Sequence, residues 1–326
     1  MGECLVPAKW YGIAKIDKMS LLSSGIRECW HLYKRARRTI ACRDCQSIPK
    51  NQQAGMVIME EVACQIMHNG MKVRLGGYHG AWMAEIIRAL EGHHEPQEER
   101  IFYEVLKVIP SNASMVEVGS YWAYYSLWFQ SCIRGGRTYM VEPMPRKLQV
   151  GIDNFHLNGM SGHFRNAFVG ASSIEVGRFI DWDGTVVRVP RIALDDLLVE
   201  EGIAFLDILH ADVQGAEFEM LEGCKRTLSE HRIGYLFIST HNDKHAACLA
   251  TIKQLGYQLV AEHSIEESCS GDGLIVARSE RSPAIPAVHI TKGVGTSRAR
   301  EDVAALIDLL GSRAHRRLWK AVCVGR

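Results

Sequence analysis

No part of this sequence stays apolar for anything near the ~18 residues of a membrane span, and no apolar leader core opens it. The expectation is a chain without a transmembrane segment. An excess of one charge is missing too: 38 Lys and Arg stand against 37 Asp and Glu. With that balance no global footprint points to nucleic acid. Two local stretches, Arg27 to Arg43 and Arg313 to Arg326, are basic. A solvated face or tail is the plain reading, and a weak peripheral contact with an anionic membrane or polymer is the alternative. Cysteines are present without a regular framework, which favours a reducing cytoplasm. Cys42 and Cys45 form one CxxC pair. Zinc would need two further ligands, which Cys29, Cys64 or His31 would supply only by an accident of folding, so the pair reads as structural. Also absent are the G-x-S-x-G elbow of hydrolases and the Walker loop of nucleotide triphosphatases.

What is present is a change of texture along the chain. Residues 1–90 show no clean period; helices are expected at 26–41, 56–67 and 82–90, giving an N-terminal helical cap. From Pro96 the pattern sharpens. A helix runs to Pro110, and short apolar runs then alternate with helix-length segments. Strands are expected at 115–118, 138–141, 163–169, 205–211, 235–240, 258–261 and 273–277, with helices at 121–133, 145–157, 216–228 and 245–255. Fully apolar strands alternating with helices predict an α/β fold with a doubly wound, mostly parallel sheet. The last two strands, with no helix between them, predict a hairpin and an antiparallel edge strand. Residues 91–278 form this domain, and 279–326 are read as a linker and C-terminal helix, with the helix at 301–310.

Ligands of such a sheet bind at the carboxyl ends of its strands. The first strand ends Glu117-Val118-Gly119-Ser120 and turns straight into a helix, the glycine letting a ligand approach the backbone. The second ends Glu142-Pro143, where a carboxylate accepts the hydroxyls of a ribose. A nucleoside cofactor follows. A dinucleotide site would need G-x-G-x-x-G to cradle a pyrophosphate; one of those glycines is here, and Glu117 would repel phosphate. The same acid suits the ammonium and sulfonium of S-adenosylmethionine. Glu117, Gly119, Ser120, Glu142 and Pro143 are the expected cofactor contacts. An NAD-dependent oxidoreductase on the same fold, and an inactive interaction protein, are the rival readings.

Four blocks sharpen this choice: Val116-Glu117-Val118-Gly119; Val141-Glu142-Pro143 with Asn154 and Asn158-Gly159; Leu194-Asp195-Asp196-Leu197-Leu198; and Ala211-Asp212-Val213-Gln214-Gly215-Ala216-Glu217 with Leu221-Glu222-Gly223. In order and spacing they resemble the FkbM-type methyltransferase family over about residues 95–278. The resemblance implies a Rossmann-like fold, S-adenosylmethionine, and O-methylation of a sugar, glycan or related small acceptor, as in polysaccharide or natural-product biosynthesis. It makes Asp212 and Glu217 the signature acids of the fourth strand's end. The sequence departs from the family at Ala123, where a second glycine is usual, after the bulky Tyr121 and Trp122.

A sugar hydroxyl is barely acidic, so a base or a metal must help remove its proton. Asp212 or His241 is the expected base. Alternatively Asp212 and the His241-Asn242-Asp243 group hold Mg²⁺, Asn242 being an oxygen ligand. Plain readings stand beside these: Asp212 as a helix cap, Glu217 serving the helix dipole, His241 as a structural histidine. The insertion at 178–191 is a place for acceptor contacts, with Trp182 either stacking on a sugar or serving as a packing anchor. Tyr121, Trp122, Tyr124, Tyr125 and Trp128 read first as core. His93, His94 and Glu95 are placed to close over the cofactor.

Overall fold

The structure, a computed structural model, describes residues 24–181, 183–293 and 298–324. Its centre is a seven-stranded sheet of β1 (Ser114–Val118), β2 (Arg137–Val141), β3 (His163–Arg165), β4 (Leu206–Asp212), β5 (Ile233–Thr240), β6 (Gln258–His263) and β7 (Gly273–Arg278). The strand order is β6-β7-β5-β4-β1-β2-β3. Strands β3, β2, β1, β4 and β5 are parallel, and β7 runs antiparallel to both its neighbours. The reversed strand thus lies one place in from the edge, with β6 outside it. The order of strand addition across the sheet reverses at β1, between β4 and β2, which sets the crevice at their carboxyl ends.

Both sheet faces are buried, which is why the strands read as continuous apolar runs. Alternation assigns Val116, Val118, Leu209, Ala211, Leu236 and Ile238 to one face. Met115, Met140, Ile208, Tyr235, Phe237 and Val276 point to the other. The helices are α1 (Ser24–Ala41), α2 (Ala81–Ala89), α3 (Pro96–Leu106), α4 (Tyr124–Cys132), α5 (Pro145–Leu157), α6 (Leu194–Glu200), α7 (Glu217–Gly223), α8 (Lys225–Ser229), α9 (Lys244–Gln254), α10 (Arg298–Gly311) and α11 (Arg313–Val324). None of the described helices is long and apolar enough to cross a membrane.

Several segments depart from expectation for identifiable reasons. Residues 56–67 are not helical: Val57–Met59, Ala63–Ile66 and Lys72–Arg74 form a small antiparallel sheet, so the region before residue 90 is mixed. Its β-branched Val57, Ile58 and Val62 favour strand, and Gly55 and Gly70 bend the chain at φ +79° and +86°. The expected third strand breaks at Asn166, whose amide donates to the carbonyls of Glu142 and Pro143 at 2.9 and 2.8 Å. Beyond it, Phe168–Val169 leaves the main sheet and joins a hairpin, Ile174–Ile180 with Val186–Ile192. The helix expected at 216–228 divides at Cys224 into α7 and α8. Asp195 caps α8, accepting from the amides of Arg226 and Thr227 at 3.0 and 2.9 Å.

The first and last described helices form one layer. Helix α1 packs against α2, α10 and α11. Three of its basic residues are spent there: Lys34 pairs with Asp302 at 2.7 Å, Arg37 with Asp308 at 2.8 Å and Arg38 with Glu301 at 3.3 Å.

Candidate active site

Gly119 ends β1 with φ +70°, and a Cβ placed on it would lie 1.7 Å from the carbonyl oxygen of Asp212. Only glycine lets the ends of β1 and β4 pack backbone to backbone. Tyr121 and Ala123 follow, also left-handed at φ 40° and 56°. Helix α4 therefore begins at Tyr124, three residues later than its periodicity suggests, and Ala123 adopts the conformation that glycine would take there. The turn wraps the Glu142 carboxylate. Its Oε2 accepts from the Tyr121 amide at 3.2 Å and its Oε1 from the Met144 amide at 2.9 Å. Burial raises the Glu142 pKa to about 7, against the pull of those amides and of Lys147. A cleft of about 350 Å³ opens here, lined by Gly119, Glu142, Pro143, Phe168, Asp212 and Gln214 among others. That is the lower end of the size range for small-molecule sites.

The five expected cofactor residues divide between two spaces. Gly119, Glu142 and Pro143 line the cleft. Glu117 and Ser120 instead line a void of about 20 Å³ on the other side of Gly119, which Tyr78, His94, Glu95 and Asp212 also wall. Glu117 is buried beneath the turn and accepts from the Ser126 amide at 2.9 Å, so it also holds the start of α4. Burial pushes its pKa up. Ser120 Oγ is buried there with no hydrogen-bond partner among the described residues. Of the three residues placed to close the site, His94 and Glu95 wall the void; Glu95 accepts from the Tyr125 hydroxyl at 3.0 Å. His93 turns away and stacks on His68, ring centroids 4.1 Å apart.

Asp212, at the end of β4, accepts from the Gln214 side-chain amide at 2.6 Å. His241, at the end of β5, sits among three carboxylates. Nδ1 is 2.6 Å from Glu217 Oε1, and Nε2 is 3.4 Å from Asp212 Oδ1 and 3.3 Å from Asp272 Oδ1. Burial alone would lower the His241 pKa, but Asp272, Glu217 and Asp212 overcome it and hold it up at about 10. The carboxylates favour the protonated ring, with Nδ1 donating to Glu217, while the Gln214 side-chain amide lies 2.9 Å from Nε2. Burial raises Asp212 to about 7, with His241 opposing the rise and Asp272 and Glu95 adding to it. Arg35 of α1 closes the chain of charges, 3.1 Å from Asp272.

Other signature residues are scaffolding. Glu217 is fully buried and accepts from the Gly215 amide at 2.9 Å as well as from His241. It clasps the loop after β4, a larger role than serving a helix dipole. Asn154 accepts from the Arg74 amide at 2.8 Å and donates to the Trp122 carbonyl at 2.9 Å. Asn158 brackets Lys72 in the same way. Together they pin the small N-terminal sheet onto α5. A Cβ on Gly223 would lie 2.1 Å from the Gly170 carbonyl oxygen. The acids and histidines of 93–99, clustered just ahead of the first strand, were a visible signal. Asp272 and Arg35 carried none, since both lie outside every motif block.

The expected metal readings fare differently. Asn242 stands beside Gly215, and its amide nitrogen would be 3.4 Å from a Cβ there. The cation facing Asp212 is the His241 ring. Among the described residues, His68, His93 and Glu99 are the group with convergent donor atoms. Each already has partners within the protein: His68 Nδ1 pairs with the Tyr124 hydroxyl at 2.9 Å, His93 Nδ1 with Glu99, and Glu99 takes the amides of His94 and Glu95 at 2.8 and 3.1 Å. Trp182 lies outside the described residues.

Residues 111–259 match the family model of the methyltransferase FkbM domain. No curated protein matches the chain. Among solved structures it is similar to a precorrin-6y C5,15-methyltransferase from Geobacter metallireducens (17% identity, 56% of this chain and 88% of that one, TM-score 0.38). Others are the TrmK protein of M. capricolum, solved with S-adenosylhomocysteine (14%, 69% and 98%, 0.37), and the METTL16 methyltransferase domain (13%, 66% and 86%, 0.42).

Proposed function

We propose that this methyltransferase domain binds S-adenosylmethionine across the Gly119 turn and methylates a hydroxyl of a sugar, glycan or related small acceptor, with Asp212 as the base. The observation that carries it is the placement of two carboxylates, Glu142 and Asp212, on either side of one glycine at the ends of adjacent parallel strands. The donor set fits the cofactor. Each Glu142 oxygen has an amide on one side and capacity left for a ribose hydroxyl. Glu117 and Glu95 wall the adjoining void, where the cofactor's ammonium would lie, and Ser120 Oγ waits there for a partner. S-adenosylmethionine supplies a methyl group already activated on a sulfonium.

The protein's own work is alignment and proton removal. A carboxylate with a pKa of about 7 is matched to general-base work near neutral pH. The raised pKa of His241 weighs against that role for it near neutral pH. It acts as a positioning residue, holding Asp212 toward the crevice while Asp272 and Glu217 hold it. No step requires Mg²⁺. The carboxylates around the turn oppose a pyrophosphate, which weighs against a nicotinamide dinucleotide. Ala123 keeps the left-handed turn, which supports an active enzyme over an inactive relative. The sugar-hydroxyl acceptor rests on the family resemblance, and cysteines without a regular framework favour a cytoplasmic setting for the reaction.

The test is calorimetric titration with S-adenosylhomocysteine, with NAD as control, on the wild type and Glu142→Ala. Micromolar binding lost in the variant is expected. A folded protein that binds NAD and not S-adenosylhomocysteine would overturn the reading. Screening nucleotide sugars and glycans for cofactor turnover then tests the acceptor class.

A further inference from the structure

The hairpin Ile174–Ile180/Val186–Ile192 has two unlike faces. Its inner side chains, Gly177 and Phe179 against Val187 and Val189, are covered to varying degrees. Gly177 sits on Phe168, whose ring a Cβ would approach to 2.5 Å, and Phe168 and Phe179 both line the cleft. The outer face carries Val176, Arg178 and Ile180 beside Val186, Arg188 and Pro190, all exposed. Val176 and Ile180 are 66% and 51% exposed, more than isolated surface aliphatics on a packed sheet need be.

Arg178 and Arg188 are direct cross-strand partners. Like charges placed opposite each other in a ladder destabilise it. Neither arginine has an ion pair or a hydrogen bond among the described residues, in contrast to Lys34, Arg35, Arg37 and Arg38 of α1. The acids nearby form no ion pair with either arginine: Asp181 pairs with Lys147 at 2.8 Å, Asp183 lies 3.8 Å from Arg146, and Glu175 lies within the ladder's bulge. The face therefore presents two uncompensated guanidinium groups framed by aliphatic side chains.

We propose that this hairpin face docks on a membrane surface bearing anionic lipid headgroups. The arginines meet phosphate or carboxylate bidentately, and the aliphatic side chains enter the region just below the headgroups. A second copy of the chain fits poorly, because two-fold pairing on this face would gather four arginines without an acid. A protein partner would need about 800 Å² per side, more than six side chains on two short strands present. A bilayer sets no such minimum, and arginine stems pack along apolar surface while their heads stay hydrated. Because Phe179 lies on the reverse side, docking would bring the rim of the cleft to the membrane surface. The proposal is independent of the methyl-transfer reading.

The test is co-sedimentation of the full chain with phosphatidylcholine vesicles with and without phosphatidylserine, at low and high salt. Binding that needs phosphatidylserine and weakens with salt is expected. Arg178→Gln/Arg188→Gln lowers the partition coefficient about 30-fold, the equivalent of about 1 kcal/mol per arginine. Val176→Ser/Ile180→Ser lowers it at unchanged charge. Both variants keep S-adenosylhomocysteine affinity, and the arginine variant melts no lower than wild type, since it relieves the cross-strand repulsion. No binding to anionic vesicles, or binding that survives the double arginine substitution, would overturn the proposal. So would a wild-type dimer that the arginine variant dissociates.

Discussion

The crevice has two acidic ends, Glu142 and Asp212, with pKa values both raised by burial to about 7 and opposite surroundings. Glu142 is met by neutral dipoles, the amides of Tyr121 and Met144. Its nearest cation, Lys147, is tied to Asp181. Asp212 is met by a full charge, the His241 imidazolium, which is itself shared with Glu217 and Asp272. Amide dipoles fix a carboxylate's direction and leave lone pairs for a ligand, which suits an acid that binds. A fixed cation tunes proton affinity, which suits an acid that reacts. The same acidity at the two ends thus serves different work.

Separating the ends gives the largest expected effect. Asp212→Asn should slow cofactor turnover about 10²- to 10⁴-fold, the usual range for a lost general base. S-adenosylhomocysteine affinity should stay within about twofold, as read by calorimetry. An unchanged rate would sink the assignment of Asp212. Gly119→Ala should damage both ends together, because its Cβ collides with the Asp212 carbonyl in a backbone region that alanine avoids. A loss of about 3 kcal/mol is expected from overpacking and strain. Thermal melting reads it, and a variant as stable as wild type would refute the close packing.

Glu142→Ala should weaken S-adenosylhomocysteine by about 10- to 100-fold, the cost of hydrogen bonds to a charged group. Full retention of affinity would remove Glu142 from the cofactor site. Smaller effects come from pH. The base form of Asp212 exists above its pKa, so turnover should rise through about pH 7 and level off. His241→Gln removes the cation that favours ionised Asp212, so the same limb should move to higher pH with a measurable plateau. Complete loss of the limb would restore His241 as the base. Glu142 adds a stability effect. Its folded pKa lies above the ordinary carboxylate value, so folding takes up a proton, and that stabilisation is lost as pH rises from about 4.5 to about 7. Glu142→Gln should flatten the fall in melting temperature across that window.

Legibility in the sequence followed the range of the interactions involved. The buried strands were readable because each needs an unbroken apolar run, and Glu142 because a carboxylate after the second strand has few structural uses. Asp212 was visible in its motif block. The turn at 121–123 was misread as helix because its apolar residues have helical spacing, whereas the Glu142 carboxylate and the amide of Tyr121 hold it in left-handed backbone. Asn154, Asp195 and Gly223 stood out as motif residues, but their work in capping and close packing is seen only with their partners in place.

By itself, then, the amino-acid order determined a doubly wound sheet, the crevice at its strand ends and the two acids that flank Gly119, since each follows from local periodicity and position along a strand. The charge state of His241 was decided by tertiary structure alone. Its three carboxylates come from β4, α7 and the loop before β7, and the arginine behind them from α1. A proton's affinity depends on charges within a few ångströms whatever their separation along the chain, and only folding brings those four segments together.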